Sequence, residues 1–481
     1  MKFSKSFALS VVCAAILAGC GGDDGKNGTN GVDGANGTDG TNGSNGVSVF
    51  VTTSDVVNTN AQHAYAVYSD SLIAAKALKE QLEVFVAAPT DENFTRAKEA
   101  WLDSRESYGE SEVYRFREGP IDNLTKDAQG NWVLEPEAGP EGAINAWPLA
   151  EAFIDYTIDM DNLQNPESVS SLPVGGNIIA DSVTYPVINK AVLQAAFGGV
   201  NDAQDEANVT SGYHAIEFLL WGQDLNEDGT YTANRDYSAG YRKASDYYTV
   251  ANDFEGKVGT CTSGETGADN EQCIRRGQFL IAAAELLIDD LQAVANTWAP
   301  GSGFHYNNFT NTDNSKVSLA KILEGMGRLS YGELAGERMS IALRTDSQED
   351  EHSCFSDNTH RDIFLNAKGI QNAFSGQYTR DTGEVLQGAS IYDLLVVEGH
   401  PELANKLRAA LELTMAKASV IDTNAKMGTS FDLQIQLADF KPAVTETIEA
   451  LKAQTDVINE AITALEVTTS DLKQDTDEFG G

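Results

Sequence analysis

Residues 90–116 read TDENFTRAKEAWLDSRESYGESEVYRF, and the spacing within this stretch decides the fold class. Phe94, Ala97, Trp101, Ser104 and Tyr108 recur at intervals of three and four, so they share one stripe of a helix while the charged residues between them face away. Thr90 or Asp91 supplies the N-cap. The same periodicity predicts helices over 62–87, 237–254, 271–298, 316–344, 401–416 and 442–466, and alternating strand-like runs are nearly absent. The class is all-α, and helices this long with polar outer faces predict bundles of the four-helix type. Ser107-Tyr108-Gly109-Glu110 recurs as Ser330-Tyr331-Gly332-Glu333, each inside a long helix, and Pro300-Gly301-Ser302-Gly303 breaks the chain before the second copy. We therefore divide the folded part into one helical bundle at 51–300 and another at 301–481, with an old duplication as their suggested origin.

The 481 residues carry 33 Lys+Arg against 72 Asp+Glu, a formal charge of −39, which excludes a nucleic-acid binder working through a basic surface. Hydrophobic residues make up 41%, enough to bury real cores, so this is not a disordered acidic chain. Length alone implies two or three domains. Beyond residue 20 no stretch approaches the apolar run that a membrane-spanning helix needs.

At the N-terminus Lys2 and Lys5 precede the apolar stretch Phe7 to Ala18, the pattern of an export signal over 1–19. Leu17-Ala18-Gly19-Cys20 resembles the bacterial lipobox, in which Cys20 is lipidated and becomes the first mature residue; a plain signal peptide ending in a cysteine is the alternative. No Asp follows Cys20, which favours the outer membrane, with the protein facing the periplasm or the cell surface. In 20–50 glycine recurs every third position from Gly22 to Gly46 with no proline between, which reads as a polar tether, a trimerising triple helix being the other reading. Of the remaining cysteines, Cys261 and Cys273 bracket a Gly/Ser/Asn-rich loop and form the preferred disulfide in an oxidising compartment; Cys354 is left as a buried small hydrophobe.

Chemistry concentrates in three places. His214 and Glu217 stand at i and i+3 within Gly212-Tyr213-His214-Ala215-Ile216-Glu217, so imidazole and carboxylate share one helix face and can meet one metal ion; a satisfied hydrogen bond inside a core is the competing reading. Arg105, Glu106, Tyr108, Glu112, Tyr114, Arg115 and Arg117 crowd the end of the opening helix ahead of Gly119-Pro120-Ile121-Asp122, and more aromatics are interleaved there than a solvated face needs. Asp357-Asn358-Thr359-His360-Arg361-Asp362, preceded by Asp350-Glu351-His352, either faces His214 to complete a site or caps the next helix. Asp224, Asn226 and Asp228 copy the first half of a calcium loop, but Arg235 stands where its closing Glu would be, so a plain Asx-rich turn competes with calcium.

Taken in order, Tyr108-Gly109-x-x-Glu112 with Arg115-Phe116 and Gly119-Pro120-Ile121-Asp122, then Asn145-Ala146-Trp147-Pro148-Leu149, Gly212-x-His214-x-x-Glu217 and Cys354-Phe355-Ser356-Asp357-Asn358-Thr359-His360, the chain resembles the imelysin family. The resemblance runs from about residue 60 to the C-terminus. It implies a two-domain helical protein of the bacterial cell envelope, of the iron-regulated protein A type, with His214 and Glu217 at the metal or functional site. It also implies a place in iron acquisition beside outer-membrane uptake machinery, with iron or an iron-containing ligand as partner. A peptidase label, as in insulin-cleaving metalloproteinase relatives, comes with it.

That label meets a gap, because a zincin needs His-Glu-x-x-His or its inverse, and Phe218 occupies the place of the inverted motif's second histidine. His214 and Glu217 with acids such as Glu112 or Asp122 would make a carboxylate-rich set suited to a harder ion, iron before zinc. The expectations to test are therefore metal binding in iron acquisition, a zinc-dependent metallopeptidase, and a metal-free module for a haem, polysaccharide or protein ligand.

Overall fold

A computed structural model describes residues 50–157, 177–199, 206–224, 236–249, 261–262 and 270–473. The export signal, Cys20, the glycine-repeat tether, Asn226 and Asp228 lie outside these residues.

Among the described residues eight α-helices have ten residues or more: α1 (Thr53–Ala87), α2 (Asp91–Ser111), α3 (Gly212–Trp221), α4 (Asn270–Thr297), α5 (Ser315–Arg328), α6 (Thr359–Ser375), α7 (Pro401–Lys426) and α8 (Lys441–Ala464). The openings of α1 and α2 follow from local chemistry. Thr52 and Asp55 form a capping box at α1, and Thr90 Oγ1 accepts from Asn93 N (3.0 Å) at α2, so Thr90 is the cap there. Pro89 separates the two helices because the residue before a proline is driven out of the α region. On α2 the buried set includes Phe94, Ala97, Trp101, Ser104 and Tyr108, the stripe expected from the sequence.

The architecture is predominantly all-α with two helix-rich regions. In the first, α1 packs on α2 and α4, with α3 held against α2 and α4. In the second, α7 packs on α6 and α8. α5 continues without a break into a π-helical stretch, Leu329–Ile341, that lies against α8. The regions meet where α6 crosses α2. A Cβ on Gly109 would come within 2.7 Å of Leu365 Cβ, and one on Gly369 within 2.4 Å of the Glu110 carbonyl, so both crossing points require glycine. Both copies of the Ser-Tyr-Gly-Glu echo lie in helical structure, one in α2 and one in the π-helical stretch. One hydrophobic cluster joins residues of both regions, and a smaller one, including Leu334, Ile363, Ile421, Phe431 and Leu451, belongs to the second.

Two features depart from the sequence reading. Two antiparallel hairpins are present, pairing Leu124–Lys126 with Trp132–Leu134 and Gln377–Thr379 with Val385–Gln387. Strands of three residues are too short to show an alternating pattern. The helix expected over 237–254 is also absent from its described part, where only Ala244–Tyr247 forms a 3-10 turn. This segment is instead an extended strap across the end of α3. Arg242 N donates to Trp221 O (2.6 Å), Tyr241 N to Gln223 O (3.2 Å) and Gly240 N to Phe355 O (2.8 Å). No described helix is long and apolar enough to cross a membrane. Cys261 and Cys273 are joined by a disulfide with their Cα atoms 6.1 Å apart, and Cys354 is buried.

Candidate functional site

The site grows from the first residue of α3. Gly212 has φ +84°, and a Cβ there would lie 2.4 Å from the Ile144 carbonyl oxygen and 2.5 Å from that of Ala143. Only glycine lets α3 start this close to the 143–144 backbone. Ser211 Oγ donates to Ala143 O (2.9 Å), and Trp101 Nε1 donates to Tyr213 O (2.9 Å), which fixes α3 on α2. Every side chain of α3 is buried, His214 and Glu217 included.

One hydrogen bond joins His214 Nδ1 and Glu217 Oε2 (2.7 Å). Glu217 Oε1 accepts from Ser356 N (3.0 Å) and Ser356 Oγ (2.6 Å). Burial raises the Glu217 carboxyl to about 8 against the pull of the Ser356 bonds. Burial, helped by the nearby His352 and Arg105, holds the His214 imidazole well below its ordinary value. At neutral pH the pair is a protonated acid and a neutral imidazole whose Nε2 has no hydrogen-bond partner.

Facing His214 is His352, its ring nearly perpendicular at 4.6 Å between centroids, while the Trp147 ring closes another side at 5.1 Å. His352 Nδ1 bonds Asp362 Oδ2 (2.8 Å), and burial brings this imidazole down to about 4. Asp362 also accepts from Arg105 (2.9 Å) and Ser353 Oγ. Although burial opposes its charge, Arg105 and the His352 bond hold the carboxyl well below the usual range. Arg105 reaches Asn145 as well, and Asn145 Nδ2 stands 3.4 Å from both His352 Nε2 and Glu112 Oε1.

Beyond Asn145 the layer is ionic. Glu112 Oε2 accepts from Arg338 (2.9 Å) and Arg115 (3.2 Å), and Glu333 accepts from the same two arginines. Those guanidiniums overcome burial and hold Glu112 below its usual range and Glu333 at about 2. Burial pushes Asp122 to about 6 and Glu141 to about 7, with Arg115 opposing both shifts. Asp122 Oδ2 accepts from Phe116 N (3.0 Å). Tyr108 is buried beside the layer, its ring 4.8 Å from that of Tyr213.

The structure thus gathers Arg105, Glu112, Arg115, His214 and Glu217 into one buried polar layer and adds His352, Asp362, Asn145, Glu333 and Arg338. Glu106 points elsewhere, to Arg361, which also reaches Asp422 (3.3 Å). His360 Nδ1 bonds the Asp357 carbonyl (2.9 Å). Glu106, Tyr237, Asp357, Asn358, His360 and Arg361 line a cavity of about 560 Å³. Ser356 lines it too, so the Glu217 carboxylate lies one side chain behind the cavity wall. Asn358 Nδ2 is buried there without a hydrogen-bond partner.

Among the described residues, one set of three acidic, histidine or cysteine side chains brings its ligand atoms within 4.8 Å of one another: Asp224, Glu351 and Asp357. His214, Glu217, Glu112 and Asp122 do not form such a set. Asp224 is the first residue of the calcium-like stretch and Asp357 belongs to the distant motif, whereas Glu351 had only its place in the Asp350-Glu351-His352 triplet to mark it. Asp357 sits at φ +59°, and burial with the carboxylates of Asp432, Glu217 and Asp236 raises its carboxyl well above the ordinary value. Three carboxylates this close repel when ionised, and a cation or a proton relieves them.

Residues 64–458 match the family model for imelysin, classed among peptidases. No curated protein matches. Of solved structures, a candidate iron-regulated protein A precursor from Parabacteroides distasonis is similar at 14% identity and a TM-score of 0.54, over 86% of this chain and 97% of that one. An imelysin-like protein from Psychrobacter arcticum is similar at 13% and 0.49, over 88% and 98%. At 14% identity the likeness to the Parabacteroides protein is one of fold. The family match spans every residue of the buried layer from Arg105 to Asp362, and the chain belongs to the imelysin family.

Proposed function

We propose that this protein binds a metal ion, iron foremost, in an acquisition role at the cell envelope, and that Asp224, Glu351 and Asp357 hold the ion beside the His214–Glu217 pair. The observation that carries the reading is the convergence of those three carboxylates. An all-oxygen set of hard, anionic donors suits iron or calcium better than zinc. The Asp432 and Asp236 carboxylates deepen the negative potential at Asp357, and Ser356 ties Glu217 to the same loop. The iron-regulated protein of similar fold supports iron as the first ion to offer. The lipobox-like Leu17-Ala18-Gly19-Cys20 supports export and lipid anchoring in the outer membrane, and the division at 51–300 and 301–481 remains our proposal for its two bundles.

A second reading, a zinc peptidase, is favoured by one observation. His214 and His352 face each other, and each bonds a carboxylate through Nδ1, the arrangement that orients histidines around zinc. Titration with iron, zinc and calcium separates the readings. Stoichiometric iron binding lost in Asp224→Asn/Asp357→Asn and kept in His214→Ala is the expected result. Selective zinc binding lost in His214→Ala/His352→Ala would replace it with the peptidase, and no binding of any ion would refute both.

A further inference from the structure

α7 has two faces. Its inner stripe, Ala404, Leu407, Leu411, Thr414, Ala418 and Ile421, is buried in the bundle between α6 and α8. On the outer face Ala409, Leu413, Ala416, Val420, Thr423 and Met427 are all exposed, Leu413 at 50%, Val420 at 45% and Met427 at 81%. Their intervals are four, three, four, three and four, the spacing of a coiled-coil seam.

We propose that this seam is a self-association surface on which a second copy of the chain docks its own α7 antiparallel, about a two-fold axis near residue 418. In that register each layer sets a small side chain against a large one. Ala409 lies opposite Met427 of the second copy, Leu413 opposite Thr423, and Ala416 opposite Val420. Only an antiparallel pairing gives this complementarity, because a parallel one would put Leu413 on Leu413 and leave Ala409 on Ala409. Charge agrees with shape. Glu412 and Lys426 flank the seam on the same side, exposed at 62% and 55% with Arg408 (3.9 Å) and Asp422 (2.8 Å) as neighbours in their own chain, and the antiparallel register brings each to the other in the second copy. Lys417 meets its own counterpart across the axis, but Glu446 of its own chain already neutralises it at 2.5 Å. In a chain of net charge −39, α7 carries Lys406, Arg408, Lys417 and Lys426 against Glu402, Glu412 and Asp422, so it does not share the acidic excess of the chain as a whole. The seam is about 27 Å long. A contact this narrow falls below the standard interface size, so the association is weak and reversible.

The test is sedimentation equilibrium of the full-length chain carrying Cys20→Ser, up to about 200 µM. Wild type is expected to show a monomer–dimer equilibrium that tightens with added salt as repulsion between the two −39 bodies is screened. Leu413→Lys should abolish the dimer. Glu412→Lys or Lys426→Glu should each weaken it by roughly tenfold, and the double reversal should restore it to within about threefold. That rescue reports a contact between copies, because residues 412 and 426 are about 21 Å apart along one helix and cannot pair within a chain. Circular dichroism melts would establish that each variant is folded. A wild type that stays monomeric throughout, a dimer indifferent to Leu413→Lys, or a double reversal no tighter than the singles would each overturn the proposal.

Discussion

Glu217→Gln should make the metal-free protein more stable at neutral and alkaline pH, and the size of the gain follows from the burial of one carboxyl. Glu217 titrates near 8 in the fold against an ordinary value of 4.5, with burial as the chief cause. Between those values the unfolded chain has lost the proton that the folded chain keeps. The stability held below about pH 4.5 therefore drains away as pH rises through 8. The slope is about 1.4 kcal/mol per pH unit, giving a loss of roughly 3 kcal/mol by pH 7 and on the order of 5 kcal/mol across the window. A glutamine reproduces the protonated acid. Its carbonyl accepts from Ser356, its amide donates to His214 Nδ1, and nothing titrates. Urea unfolding of wild type and variant in chelator at pH 5, 7 and 8.5 reads the difference, and the other raised acids cancel in the comparison. The expected gap is within about 1 kcal/mol at pH 5 and grows in favour of the variant thereafter. A gap independent of pH, or a variant less stable than wild type at pH 8.5, would refute a protonated Glu217.

Three further outcomes follow from the same geometry. Gly212→Ala should cost at least ~3 kcal/mol and lower soluble yield, because left-handed strain adds to contacts of 2.4 and 2.5 Å with two carbonyl oxygens; thermal unfolding measures it. Arg338→Met should cost about 3–5 kcal/mol in urea unfolding, because it removes a partner from both Glu112 and Glu333 inside the core. Lys406→Ala, by contrast, removes an exposed link to Glu460 and should change stability by no more than about 0.5 kcal/mol in the same assay.

The parts of the molecule legible in its sequence are those whose cause is local. Thr90 caps α2 because the hydroxyl and the Asn93 amide are three residues apart, and Phe94 to Tyr108 bury because one helix face carries them. The His214–Glu217 bond is legible for the same reason, since i and i+3 meet on any helix. The 237–254 segment shows the limit. Its tyrosines and alanines have helical spacing, but Trp221 and Phe355 offer carbonyls that draw Gly240 and Arg242 into a strap. A Cβ on Gly240 would sit 2.5 Å from the Trp221 carbonyl oxygen, so that glycine serves a contact with residues distant in the sequence. Arg338 and Glu333 were equally hidden. They pair with each other five residues apart, but their other partners, Glu112 and Arg115, come from the other region and leave no local mark.

The arginine pairings separate the acids of the buried layer from Asp357. Arg105 answers Asp362, while Arg115 and Arg338 answer Glu112 and Glu333 between them. These three acids are held in their ionised form by guanidiniums that a metal would have to displace, at the cost of leaving positive charge buried. Asp122 and Glu141, the two acids in excess, meet the same constraint through burial, and they take up protons near pH 6 and 7. At Asp357 the influences are different in kind: burial and the carboxylates of Asp432, Glu217 and Asp236 all push its pKa upward. A cation at Asp357 would relieve that repulsion. That asymmetry is why the proposal sets the ion at Asp224, Glu351 and Asp357 and leaves Glu112 to the arginines. It also implies that metal binding releases protons, so affinity should rise with pH while the ionic layer behind Asn145 stays unchanged.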